Sequence, residues 1–362
     1  MQPLPTPSLI IDADKVRRNL RRLGEYARAH RLNLRPHTKT HKSIKLARMQ
    51  LAEGGAMGLT VAKAGEAQVM VEACDDILVA YPVADAARAA MLATLARTRT
   101  IRVGIDSLVA AENLAAAAKA AGSVIGLIVD IDVGLHRTGV QGPAAALALA
   151  QRIDKLPGAR LDGIMYYPGF IWSRPETQAQ ALSSVDAILA ETIELWKKNG
   201  LAAPIVTGGS TPSAFQSHLV TRGTEIRPGT YIFYDLNSVR GGYCAFDDVA
   251  ATIECTVVSD AVPGQIVIDA GSKTLSSDRN AIAPDSGHGY IVQYPQAKIT
   301  KLTEEHGQVD ISACDRAPNV GERVTVIPNH ICVCVNLQDQ LWWREPGEQP
   351  VPLRVDARGR VV

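Results

Sequence analysis

The 362-residue sequence predicts an α/β protein, a (β/α)8 barrel followed by a second, C-terminal all-β domain. Three observations carry this reading. Eight short apolar runs alternate with helix-length segments between residues 32 and 227. The residues that carry chemistry cluster just after those runs, where a barrel keeps its active face. From about Val249 the texture changes to Val, Ile and Thr runs punctuated by Pro and Gly, with no helix-length pattern.

Taken in order, Leu9-Ile10-Ile11 is an apolar strand that precedes the first barrel helix and is expected to pair with the β domain. Ala13 to His30 places Val16, Leu20, Leu23 and Ala27 at helical spacing among arginines, which predicts an amphipathic helix. The eight strands are read at Leu32 to Leu34, Met57 to Val61, Ile77 to Ala80, Ile101 to Val103, Val124 to Ile131, Gly163 to Tyr167, Ile205 to Thr207 and Glu225 to Arg227. Between them, Ile44 to Ala52, Ala62 to Glu72, Ala84 to Leu95, Ala110 to Ala121 and Gln178 to Asn199 have the length of parallel crossovers. Alternation alone does not show closure, so a doubly wound sheet is the other arrangement it allows. The barrel is read over residues 12–246 and the β domain over 247–362, with the segment 1–11 joining the latter; its strands begin with Ala250 to Val258, Gln265 to Ala270 and Arg323 to Pro328.

Composition narrows the function classes. Apolar residues at 46% and charged residues at 21% are ordinary for a globular protein and exclude collagen-like, disordered and coiled-coil readings. Lys and Arg number 38 against 37 Asp and Glu, and no basic stripe emerges, so no nucleic-acid partner is expected. Met1-Gln2-Pro3-Leu4-Pro5-Thr6-Pro7 has neither a basic nor an apolar leader region, and no stretch approaches the roughly 18 apolar residues of a membrane span. The expectation is a cytoplasmic protein with no membrane partner. Six scattered cysteines then read mostly as small buried hydrophobes.

The chemistry falls after the strands. Gly208-Gly209-Ser210-Thr211, followed by Pro212 as a possible helix start, offers backbone N–H groups and hydroxyls to a phosphate, and Gly229-Thr230 completes the cup after the eighth strand. A plain turn is the alternative. Lys39 stands among Arg35, His37, His41 and Lys42, and each neighbouring positive charge disfavours its protonated form, which suits a Schiff-base lysine. A solvated basic loop is the alternative there. In Pro328-Asn329-His330-Ile331-Cys332-Val333-Cys334, read as a strand, His330, Cys332 and Cys334 share one face. Imidazole with thiolate favours zinc, and two or three ligands make an open site rather than a closed one; a buried strand with an incidental histidine is the alternative.

Together these stretches resemble, over almost the whole chain, the fold type III pyridoxal-phosphate enzymes, and within them the family of D-threonine aldolase, D-serine dehydratase and the 3-hydroxy-D-aspartate enzymes. Arg35-Pro36-His37-Thr38-Lys39-Thr40-His41 is the most specific mark. The resemblance implies that Lys39 carries pyridoxal 5'-phosphate, with His37, Thr60 and Arg137 near it and Tyr167 in a position kept close to the cofactor. Thr60, Lys63 and Glu66 match a Thr-x-x-Lys-x-x-Glu pattern, and Asp132 to Gly139 the segment of the ring arginine. Gly208, Gly209, Ser210, Thr211, Gly229, Thr230 and Tyr231 correspond to the phosphate cup. His330 and Cys332 correspond to the metal site, which holds zinc or else manganese or magnesium. The family also implies a homodimer and a D-amino acid substrate.

Two outcomes follow from that resemblance. Removal of the β-hydroxyl proton breaks Cα–Cβ and gives glycine and an aldehyde; removal of the α-proton by Lys39 with loss of hydroxide gives a 2-oxo acid and ammonia. Cys332 and Phe170, the latter where many aldolase-like members carry a histidine, match the dehydratases. Asn329-His330-Ile331-Cys332 with Val335-Asn336 resembles the aldolases, and His136 or His41 is then the candidate base. The leading expectation is the aldolase. A racemase needs a second acid/base and no metal, and His330 and Cys332 count against it. A cofactor-carrying protein without turnover belongs to a different class, and such barrels usually lack a β domain. Asp278, Arg279 and His288 lie in β-domain loops with no firm role.

Overall fold

The computed structural model describes residues 4–362; Met1 to Pro3, the start of the segment read as leaderless and of the span 1–11, lie outside the described residues. The chain divides into two compact units. One comprises Arg21–Lys39, Ile44–Gly229 and Gly359–Val362; the other comprises the chain up to Leu20, Thr40–Ser43 and Thr230–Arg358.

After β1 (Ser8–Asp12) and α1 (Ala13–Ala29), the barrel unit supplies strands β2 (Asn33–Leu34), β3 (Leu59–Val61), β4 (Asp76–Val79), β5 (Thr100–Ile105), β6 (Ile125–Ile131), β7 (Ala159–Tyr166), β8 (Ile205–Gly208) and β9 (Glu225–Ile226). They are parallel and ordered β2-β9-β8-β7-β6-β5-β4-β3. The two ends meet at a parallel His37–Thr60 bridge, with Met57 N donating to Leu34 O and Thr60 N to Pro36 O, both at 2.9 Å. A doubly wound sheet would leave two open edges, so closure decides for the barrel. Crossovers are α2 (Ile44–Ala52), α3 (Ala64–Met70), α4 (Ala86–Leu95), α5 (Leu108–Ala121), α6 (Gly142–Ile153) and α7 (Ala179–Lys198), and a 3-10 turn at Ala214–Leu219 after β8. Helix starts follow their caps: Asp85 accepts from Arg88 N and Ser107 from Ala110 N.

Inside the barrel the side chains stack in layers. At the strand starts the layer is ionic. Arg35, fully buried, donates through Nε to Glu225 at 2.9 Å and through Nη1 to Asp76 at 2.7 Å. Arg102 bridges Asp76 to Asp162, and Arg160 adds to Asp162. Gly58 and Gly126 make room: a Cβ at Gly58 would sit 2.2 Å from Arg35 Nη1, and one at Gly126 2.1 Å from Asp162 Oδ2. Leu78, Ile128 and Met165 form the apolar waist. Asp130, Thr207 and Arg227 lie buried toward the strand ends. β7 begins at Ala159 rather than at the expected Gly163, because Arg160 and Asp162 are polar strand residues that find their partners in the ionic layer.

The second unit is a mixed sheet built from β1 with β10 (Ala251–Ser259), β11 (Gln265–Ile268), β12 (Tyr290–Ile291), β13 (Lys298–Leu302), β14 (Gly307–Asp310), β15 (Arg323–Ile327), β16 (Gln340–Arg344) and β17 (Val351–Arg354). β1 lies antiparallel to β10 (Ile10 beside Thr252) and parallel to β16 (Ile10 beside Trp342), as the pairing expectation for Leu9 to Ile11 required. β10 alternates buried and half-buried residues over seven positions, the period of a strand with one core face. Short helices α8 (Leu236–Arg240), α9 (Ser272–Leu275) and α10 (Ile331–Asn336) interrupt the sheet.

α10 corrects the expectation of a strand through His330, Cys332 and Cys334. Ile331-Cys332-Val333-Cys334-Val335 is uniformly apolar and fits either period. In the helix, residues two apart point to different sides, so Cys334 is fully buried with Sγ against Leu275 O and does not join the other two.

Candidate active site

The candidate residues fall into two sets, one in each unit. In the barrel unit, Lys39 lies in a one-turn 3-10 helix, Thr38–Thr40, that follows β2. Lys39 is exposed while both its neighbours are buried. His37 Nδ1 accepts from the Lys39 amide at 3.3 Å, and His37 N is tied to Pro228 O. Thr60, fully buried, donates its hydroxyl to Arg35 O at 2.6 Å and accepts through its carbonyl from the Thr38 hydroxyl, so it holds the lysine turn. The crowd of cations expected around Lys39 is not built: Arg35 is spent on Glu225 and Asp76, and Lys42 donates to Asn336 Oδ1 at 2.7 Å. His41 is fully buried and its Nδ1 accepts from Ser43 N.

Gly208 and Gly209 meet a real steric requirement. A Cβ at Gly208 would sit 2.2 Å from the Tyr166 ring, and Gly209 has φ +85°. Ser210 and Thr211 are buried beside them, with Ser210 Oγ 3.0 Å from Ser213 Oγ. The expected helix start at Pro212 is absent; the turn begins at Ala214 and is 3-10. An anion here would therefore meet amides and hydroxyls rather than an α-helix dipole. Two buried polar atoms nearby in the chain have no partner, Thr207 Oγ1 and Arg227 Nε, although Arg227 Nη2 donates to Tyr166 O at 2.9 Å. Orphaned buried donors are costly unless a ligand satisfies them. With a cradle that only glycine permits, they fit a phosphate-bearing cofactor.

The segment after β6 is organised by Asp132. Its Oδ1 accepts from the amides of Gly134, Leu135 and His136, each at 3.0 Å, and its Oδ2 lies 2.7 Å from His136 Nδ1. Burial pushes the Asp132 carboxyl up, but the His136 and Gly134 amides and the side chains of Gln141 and His136 outweigh it and hold it at about 2. His136 takes a left-handed φ of +57° and its side chain is 78% exposed, so the ring is fixed by Asp132 and presents Nε2 to solvent. Arg137 sits over the Tyr167 ring at 4.8 Å. Asp130, two residues earlier, is pushed the other way, up to about 6: burial dominates over the Thr138 hydrogen bond and the Arg227 charge.

In the second unit, His330 caps α10 and Cys332 lies in its first turn. His330 Nδ1 donates to Asp235 Oδ2 at 3.1 Å, which would leave Nε2 for a metal, as in carboxylate–histidine metal sites. Asp235 is 1% exposed and divides its work: Oδ1 caps α8 by accepting from Ser238, Oδ2 takes His330 and Ile331 N. The Cys332 sulfur first, and Asp235 after it, hold the imidazole proton up to about 11 against burial, so the pocket favours a cation. Cys332 Sγ is 3.2 Å from Thr40 Oγ1 and 3.6 Å from Thr230 Oγ1. Thr230, expected in the phosphate cup, thus lies against the Cys332 sulfur, and Tyr231 beside it is buried. Among the described residues no group of three or more His, Cys, Asp and Glu side chains is gathered for a metal. His330 and Cys332 with a second-sphere Asp235 fit an open site with two protein ligands.

Asp235, Asp130, Thr207 and Arg227 were not marked in the sequence as site residues. Asp235 stands 95 positions from His330 and signals only a helix cap, in Asp235-Leu236-Asn237-Ser238. Asn329, next to His330, donates to Asp278 O and Gly287 O and so pins the loop that carries Arg279 and His288.

A closed barrel with a lysine turn and a glycine cup, joined in one chain to a β unit, defines the fold type III class of pyridoxal-phosphate enzymes. The alanine racemase N-terminal domain model matches residues 11–237, and a serine dehydratase domain model matches 250–343. The chain belongs to this family. It is 32% identical to D-threonine aldolase from Arthrobacter sp., over 98% of this chain and 93% of that one. It is 33% identical to D-threo-3-hydroxyaspartate dehydratase from Delftia sp., over 91% of each. The crystal structure of D-threonine aldolase from Filomicrobium marinum superposes with a TM-score of 0.90 at 28% identity, covering 99% of this chain and 97% of that one. A D-threo-3-hydroxyaspartate dehydratase solved as a cysteine-to-alanine variant in the metal-free form gives the same score at 29% identity, covering 97% of each chain.

Proposed function

We propose that this chain is a pyridoxal-phosphate- and metal-dependent lyase that splits D-β-hydroxy-α-amino acids into glycine and an aldehyde. The observation that carries the reading is Lys39, exposed in a turn fixed by His37 and Thr60, in a barrel whose Gly208 and Gly209 leave a cradle. When bound, pyridoxal phosphate supplies an electron sink for charge at Cα, and a divalent metal supplies a Lewis acid for the β-hydroxyl. Lys39 would hold the cofactor through Nζ and carry protons at Cα. Gly208 to Thr211 and Gly229 would bind its phosphate, and Arg137 and Tyr167 would flank its ring.

His330 Nε2 and Cys332 Sγ would hold zinc, manganese or magnesium, with Asp235 fixing the imidazole. His136 is the base: Asp132 orients its ring, leaving Nε2 to take the β-hydroxyl proton. The second reading, β-elimination to a 2-oxo acid and ammonia, is favoured by Phe170 and Cys332. In that case Lys39 Nζ takes the α-proton and His136 is dispensable.

Product identification by NMR after mixing the cofactor-loaded, metal-supplemented protein with D-threonine, D-serine and 3-hydroxy-D-aspartate tests both. Glycine plus aldehyde is expected, and its loss in His136→Ala assigns the base; 2-oxo acid plus ammonia establishes the second reading instead. The protein is further read as a cytoplasmic homodimer. The absence of a disulfide among the six cysteines supports a reducing compartment, and no helix among the described residues is long and apolar enough to cross a membrane.

A further inference from the structure

The loop after β7 exposes two large aromatic side chains, Phe170 and Trp172, each 40% accessible, while Ile171 between them is buried at 3%. The loop is fixed rather than slack. Trp172 Nε1 donates to Gly169 O at 2.9 Å, and the fully buried Gln178 donates to Ser173 O at 2.8 Å and to Pro212 O at 3.0 Å, beside the Gly208–Thr211 cup. The Phe170 ring lies against the segment that carries His136 and Arg137: a Cβ at Gly134 would be 3.2 Å from Phe170 Cε1. Tyr167, three residues earlier, meets Arg137. Phe170 therefore stands against the segment of the candidate base at the strand-end face of the barrel, with Trp172 two residues further along the same loop, and neither ring can accept a proton.

Resting on the reading of the chain as a D-β-hydroxy-α-amino acid lyase, we propose that Phe170 and Trp172 form the wall that receives the substituent on Cβ and select apolar, above all aromatic, substituents over a carboxylate. Aromatic rings set against a flat apolar group bury large areas and add specific ring–ring geometry. A carboxylate placed against the same wall loses water and gains no donor. Two cations could reverse this choice: Arg137, over the Tyr167 ring, and Arg174, exposed two residues beyond Trp172.

The test compares β-phenyl-D-serine, D-threonine and 3-hydroxy-D-aspartate on the loaded protein and on Phe170→Ala, Trp172→Ala and Arg174→Ala. The expected result is a kcat/KM for phenylserine about tenfold or more above that for hydroxyaspartate, with Phe170→Ala lowering that ratio about tenfold, mainly through KM. Binding is read separately by tryptophan fluorescence: D-phenylalanine, which has no β-hydroxyl to lose, is expected to quench it, D-aspartate far less, and Trp172→Phe to remove the difference. A preference for hydroxyaspartate that Arg174→Ala abolishes would overturn the proposal. So would a Trp172 signal that follows protein concentration instead of ligand, which would make this face a subunit contact. Turnover with an unchanged substrate ratio in Phe170→Ala refutes the aromatic wall alone, whereas no product from any of the three substrates refutes the lyase reading.

Discussion

At the strand starts of the barrel, Arg35, Asp76, Arg102, Asp162 and Glu225 interlock in alternating charge; toward the strand ends, Asp130, Thr207 and Arg227 are as deeply buried, yet Thr207 Oγ1 and Arg227 Nε lack partners. Glu225 and Arg227 even stand only two residues apart, at the start and just past the end of β9. Both layers place polar groups in a low-dielectric interior, where an unsatisfied group is costly. The starts meet that cost within the protein. The ends leave Thr207 Oγ1 and Arg227 Nε unmet by protein groups, as the proposed cofactor site would require, whereas Arg102 Nε at the starts still lies 2.8 Å from Asp162.

The comparison can be broken in four places. Lys39→Ala is expected to lower turnover by about a thousandfold or more while leaving stability within about 0.5 kcal/mol, because the side chain is exposed. Steady-state kinetics and urea unfolding of the same preparation check both halves. Arg35→Met should cost about 3–5 kcal/mol of stability by stranding Glu225 without its cation and leaving Asp76 to Arg102 alone, and adding Glu225→Gln should recover part of it. A loss below about 1 kcal/mol in denaturant titration would remove the ionic layer from the account of stability.

Asp132 gives a pH-dependent effect. Its native carboxyl lies at about 2 against an ordinary value of 3.8, so its contribution, on the order of 2 kcal/mol, is present above pH 3.8 and lost as pH falls toward 2. Asp132→Asn should flatten the acid limb of stability in that window and, through His136, lower turnover. The smallest effect is expected at Thr207→Val. Removing a partnerless buried hydroxyl should raise the melting temperature of the cofactor-free chain by an amount worth up to about 1 kcal/mol, while weakening cofactor affinity several-fold.

The eight strands were legible because Ile77 to Ala80, Val124 to Ile131 and their counterparts are short apolar runs at regular spacing, and the lysine turn was legible because its residues are consecutive. The ionic layer was not, since Arg102 and Asp162 read as solvent-facing strand residues until the barrel turns them inward, while Arg160 stays exposed and reaches Asp162 from outside. The short helix at Ile331–Asn336 reads as a strand in the sequence because five apolar residues carry no period. The sequence overstates the crowd around Lys39: adjacency places Arg35 and Lys42 beside it, and folding sends their charges to Glu225, Asp76 and Asn336. Asp235 became visible only when the chain brought it across 95 residues to His330.

The alternating charges at the strand starts also constrain how this chain can diverge. Replacing one member alone passes through a protein with a buried, unmatched ion, so that layer changes only by coordinated substitutions. Residues such as Thr207, Phe170 and Trp172, which do not hold a neighbouring ion in place, can be exchanged one at a time. New substrates are therefore reachable by single steps at one end of the barrel while the other end stays locked.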